Sequence, residues 1–151
     1  MTDPDLILAV LHHAAILGLA AVLGAEAALL RPEMTAPQVR RLAGIDAAYG
    51  MLALAIIAVG FARAVFAAKG WAYYSTNVMF WAKIATFALV GLLSVRPTLA
   101  YARWRRSLIR SGAMPDTAEI SRLRPLLHAQ LALLVAIALF AAAMARGYGS
   151  V

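Results

Sequence analysis

Five side chains able to do chemistry fall inside or at the edge of long apolar stretches: His12, His13, Arg63, Lys83 and Arg146. An ionisable group at hydrocarbon depth is costly and marks a functional position by default. Imidazoles without a carboxylate suit hard cations poorly, because those cations want oxygen ligands. They suit haem iron, whose two propionates are held by Arg or Lys. His12 is therefore the expected axial ligand of a b-type haem, with His13, Arg63, Lys83 and His128 as further cofactor-binding candidates. Glu26, Asp46, His128 and Arg96 make a second group in which carboxylates can pair with guanidinium or imidazole. Glu26 and Asp46 are expected to carry protons, and Lys83 to act on the substrate. Cysteine is absent, which excludes disulfides, thiolate metal sites and iron–sulfur ligation.

The elements that position these groups follow from composition. The chain has 151 residues, 64% of them hydrophobic and 14% charged, against roughly 45–50% and 25% in a soluble domain. So short a chain cannot hide that much apolar surface from water. Four segments, 5–30, 42–68, 76–95 and 125–146, are long enough to cross about 30 Å of hydrocarbon at about 1.5 Å per residue. Helix stops stand at Arg31-Pro32, Lys69-Gly70, Arg96-Pro97 and Arg146-Gly147. The expected fold is all-α, a single integral-membrane four-helix bundle with up-down topology. The N-terminus lacks the basic region of a cleavable signal, so the first segment reads as a retained span.

The net charge of +7 does not point to nucleic acid, because the basic residues lie mainly between apolar segments, where they set orientation. Segment 96–124 holds seven arginines, while 69–75 holds Lys69 with the aromatic residues Trp71, Tyr73 and Tyr74. The charge bias places 96–124 in the cytoplasm and both termini in the periplasm of a bacterial inner membrane. Within 96–124, residues 99–109 read as a helical extension at the membrane surface, and Asp116 with Glu119 as a capping box. In this frame His12 and His13 lie about 10–12 Å in from the outer side, Lys83 about 10 Å and Arg63 about 7 Å. His128 falls about 15 Å from His12 along the membrane normal. The second axial position would be open, or filled by His13 of a partner copy, Met79 or Lys83.

Plainer readings stand beside these. A membrane histidine can donate to a neighbouring carbonyl, and Arg63 and Arg146 can snorkel to the interface. The small residues Ala9, Ala20, Gly24 and Ala27 can serve helix packing, including that of a homodimer. The same cations would serve a small-anion transporter or channel, and the small-residue faces an assembly subunit of a larger membrane complex.

Leu11-His12, Arg40-Arg41-Leu42 and Trp81-Ala82-Lys83-Ile84, with the Gly70-Trp71 break and the following arginine-rich stretch, resemble the HemJ-type protoporphyrinogen oxidases. The resemblance implies a four-helix membrane oxidoreductase. Its first-span histidine, His12, would bind haem b, and Lys83 would be the second functional residue. Tetrapyrrole would be the substrate, with a quinone-level acceptor. The chain departs from that pattern at Ser94-Val95-Arg96 and His128-Ala129-Gln130. It also resembles the bacterial membrane proteins grouped as DUF2214.

Overall fold

A computed structural model describes residues 4–66 and 70–149. Long helices α1 (Pro4–Leu29), α2 (Ala36–Phe66), α4 (Val78–Ser111) and α5 (Thr117–Ala145) alternate in direction, and a short α3 (Gly70–Ser75) precedes α4. All four long helices are apolar and long enough to cross a membrane. α1 packs chiefly on α2 and α4 chiefly on α5, so the bundle is two hairpins joined along thinner α2–α4 and α1–α5 seams. Leu6, Leu17, Leu54, Phe66, Leu92 and Leu139 are among many large apolar side chains that face outward. That is the inverse of a water-soluble surface and the requirement of a lipid-facing one.

Local chemistry sets the helix ends. α2 begins earlier than the expected residue 42, because Thr35-Ala36-Pro37-Gln38 opens it: Gln38 Oε1 accepts from the Thr35 backbone N–H at 2.7 Å and from its hydroxyl at 3.2 Å. Pro37 in the first turn needs no donor there. Lys69, the expected stop after α2, lies outside the described residues. Asn77 caps α4, its side chain accepting from Met79 N and Phe80 N.

Arg96-Pro97 does not end that helix. α4 runs through Pro97 to Ser111 and stops at Gly112, whose φ of 69° suits glycine and whose N–H bonds to Leu108 O. Proline removes one backbone hydrogen bond, yet packing outweighs that loss. Pro97, Ala100, Tyr101, Trp104 and Leu108 are buried on α4, and Ile120, Leu123 and Leu127 are buried on α5. The 34-residue helix is about 51 Å long, so its arginine-rich part extends past the roughly 30 Å of hydrocarbon. Segment 96–124 is therefore mostly two continued helices joined by a short turn, and the extension over 99–109 is α4 itself.

Asp116 caps α5 by accepting from Ala118 N. Glu119 does not complete the expected capping box. Its carboxylate is drawn across to α4, where Arg103 pairs with one oxygen and Trp104 Nε1 donates to the other at 2.8 Å. At the opposite end the tail after α5 docks on the start of α4. Val78 N donates to Gly149 O at 2.9 Å, and Asn77 Nδ2 to Tyr148 O at 3.2 Å. The core is densest toward the arginine-rich end, around Leu30, Val39, Leu42, Tyr101, Ile120 and Leu127.

Candidate functional site

The α1–α2 pair brings two polar groups together at different levels of one antiparallel register. Asp5 meets Arg63, His12 meets Gly60, Gly18 meets Leu52, and Glu26 lies by Asp46. A common face of α1 carries Asp5, His12, Leu19, Leu23 and Glu26 at close to helical spacing, and Leu30 continues it just past the helix end.

In the group nearer α3, His12 is half-buried, and Gly60 gives its ring room. A Cβ at Gly60 would lie 3.1 Å from His12 Cε1 and 3.6 Å from Nδ1. The buried Nδ1 has no hydrogen-bond partner among the described residues. Arg63 and Lys83 are close enough to act electrostatically on His12, and Arg63 on Lys83. Lys83 Nζ stands 5.3 Å from the centre of the Phe80 ring. Arg63 Nε lies 4.0 Å from Asp5 Oδ1. Asp5 is the member that reading by residue type misses. Its spacing of seven from His12 puts both on one helix face, and that was the available signal.

His13 turns away. It is exposed, its Nδ1 is 2.7 Å from Ala9 O of its own helix, and its ring stands edge-on to His12 with centroids 6.1 Å apart. Arg146 is exposed at the C-cap of α5. The structure thus gathers His12, Arg63, Lys83 and Asp5. His13 lies on the outer face of α1, and Arg146 at a helix end.

The second group differs from the charge pairing expected of it. Arg96 and His128 are both exposed, and neither Glu26 nor Asp46 is within ion-pair distance of a cation among the described residues. The reason is helical phase. The buried face of α5 runs Ile120, Leu123, Leu127, Gln130, so His128 falls about 100° off it. Gln130 takes the interior position, its Oε1 accepting from the Tyr49 hydroxyl at 3.2 Å. Thr98 Oγ1 donates to Asp46 Oδ1 at 2.8 Å. Glu26 is 3% exposed, and its Oε1 and the Tyr101 hydroxyl are buried without hydrogen-bond partners among the described residues. Two carboxylates, two phenols and a glutamine therefore form an acceptor-rich polar cluster, with the exposed Thr98 at its edge. A groove of about 400 Å³ opens beside it between α2 and α4, with Asp46, Tyr49 and Ser94 on its wall.

Among the described residues no cluster of three or more His, Cys, Asp or Glu side chains could hold a metal ion by itself. An iron porphyrin asks for less, one imidazole on the metal and cations for its carboxylates. The unengaged nitrogen of His12, with Arg63 and Lys83 within electrostatic reach, fits that donor set.

The chain is thus a multi-pass helical membrane protein. The family described as predicted membrane protein (DUF2214) matches over residues 4–149, and the chain belongs to that family. No curated protein and no solved structure matches the chain.

Proposed function

We propose that this protein binds haem b in the bacterial cytoplasmic membrane and does redox work there, with His12 as axial ligand. The observation that carries the reading is the inward-facing His12 ring, held over Gly60 with a buried, unengaged nitrogen and with Arg63 and Lys83 at hand. Bound haem supplies one-electron chemistry, which no side chain of this cysteine-free protein offers so readily. Arg63 and Lys83 would hold propionates or the carboxylates of a tetrapyrrole substrate, as the likeness to HemJ-type oxidases implies. Asp5 keeps Arg63 oriented until such an anion arrives. Glu26 and Asp46, with the Tyr49 and Thr98 hydroxyls, provide carboxylates able to take up and hand on protons. The arginine-rich end faces the cytoplasm and the termini the periplasm, as the charge bias requires. His13, on the outer face of α1, is presented to a second copy.

The test is optical. Protein purified from membranes is recorded oxidised and dithionite-reduced and then assayed as the pyridine haemochrome. The expected result is a b-type spectrum that His12→Ala abolishes and His13→Ala keeps. A wild-type preparation that stays colourless after added hemin, or a His12→Ala protein with an unchanged haem band, overturns the proposal.

A further inference from the structure

A second cavity, of about 290 Å³, adjoins the α2–α4 groove at the arginine-rich end. The two share Asp46 and Thr98 as common wall, and the second is bordered by Arg105 and Arg106. The groove above that wall is apolar and floored by small residues, including Gly50 and Gly91. The chamber below it is lined in part by these two exposed arginines. Arg105 has no hydrogen bond or ion pair among the described residues, and Arg106 reaches only Ala102 O, through Nε at 3.2 Å. Arg105 lies about 40 Å along α4 from Val78 at 1.5 Å per residue, past the roughly 30 Å of hydrocarbon and level with the headgroups. Two adjoining cavities thus meet at Asp46 and Thr98, one an apolar slot between α2 and α4 and the other bordered by two exposed arginines at the interface.

We propose that α2 and α4 form a lateral binding site for a membrane-dissolved amphiphile with an anionic head, its apolar body lying in the groove beside Gly50 and Gly91 and its phosphate or carboxylate held by Arg105 and Arg106. The order of the two linings, apolar and then basic, matches such a molecule in polarity, and arginine is the side chain suited to forked contact with either anion. Asp46, its Oδ1 engaged by Thr98, stands where the two chambers join. That leaves it an oxygen-rich lip between the chambers, which offers an anionic head nothing like the donors of the two arginines. The site is separate from the His12 group and does not depend on haem.

The test uses the full chain, purified in uncharged detergent and examined by native mass spectrometry with two probes, phosphatidylglycerol and a long-chain fatty acid, against phosphatidylcholine. Wild type should retain an anionic probe over phosphatidylcholine. Arg105→Gln/Arg106→Gln should lower that preference by at least about tenfold, the loss expected of a single charge-assisted contact. Gly50→Leu/Gly91→Leu should lower it as much without changing any charge. A Cβ at either glycine meets nothing within 4 Å, so the new side chains fill the groove and not the core. Sensitivity of phosphatidylglycerol alone names a phospholipid as ligand, that of the fatty acid alone a free acid, and that of both the shared chemistry. Equal retention of all three lipids by wild type overturns the proposal. So does a preference that the arginine variant loses but the groove-filled variant keeps, because that is adventitious lipid on a basic surface. Circular dichroism and gel filtration of each variant confirm the fold.

Discussion

Replacing Gly60 with alanine gives the sharpest check on the position of His12, because two opposed effects of known size meet there. In a helix interior alanine is favoured over glycine by about 1 kcal/mol. Against that, the added methyl carbon would lie 3.1 Å from His12 Cε1, where ordinary contact begins at 3.4 Å. The ring must therefore move by a few tenths of an ångström, and overpacking of that kind costs about 1–3 kcal/mol. Gly60→Ala should thus be neutral or destabilising by up to about 2 kcal/mol in the wild-type background. Once His12→Ala has emptied the space, the clash disappears and only the helix-forming gain remains, so the same substitution should stabilise by about 1 kcal/mol. The coupling between the two positions is the difference, about 1–3 kcal/mol. It is read from unfolding of the four proteins by denaturant in mixed micelles, followed by far-ultraviolet circular dichroism. Distant sites add to within about 0.3–0.5 kcal/mol. Effects of Gly60→Ala that agree within that margin in both backgrounds would place the His12 ring elsewhere and remove the central support of the haem reading.

Other expectations follow from particular contacts. Tyr49→Phe leaves the buried Gln130 Oε1 without its donor and should cost about 1–3 kcal/mol in the same assay; no loss would mean that the pair is unformed in lipid. Gly149 has a φ of 82°, and a Cβ there would sit 2.9 Å from Met79 Cγ and 3.2 Å from Met79 N. Gly149→Ala should therefore release the tail from the start of α4, seen as faster proteolysis after Arg146; unchanged cleavage contradicts the docking. Because the chain has no cysteine, single-cysteine variants report topology cleanly. Ser111→Cys should resist a membrane-impermeant maleimide in intact cells while Ser75→Cys reacts, and the reverse pattern inverts the orientation.

The four long helices were legible because length and hydropathy decide them with little tertiary help. Their ends were not. Arg96-Pro97 has the form of a helix stop, but Tyr101, Trp104 and Leu108, which carry α4 through it, are buried by packing against another helix, and that leaves no local mark. Thr35 to Gln38 did carry a local signal, a cap with its glutamine three residues on, which a hydropathy reading passes over. The site shows the same division. His12 and Lys83 were found by residue type. His128 was chosen by type against phase, and the interior spacing of α5 favours Gln130. Asp5 needed phase as well as type. The groove between α2 and α4 depends on how two hairpins meet, which no single-helix pattern encodes.

The seam between those hairpins has a consequence for assembly. His12 and Arg63 belong to the half that ends with α2, and Lys83 to the half that begins with α3. Each half packs chiefly as an antiparallel helix pair, yet neither alone owns the full set of groups around the imidazole. If the protein were expressed as two fragments divided between residues 66 and 70, the haem proposed above would make the appearance of colour report the moment the halves found each other.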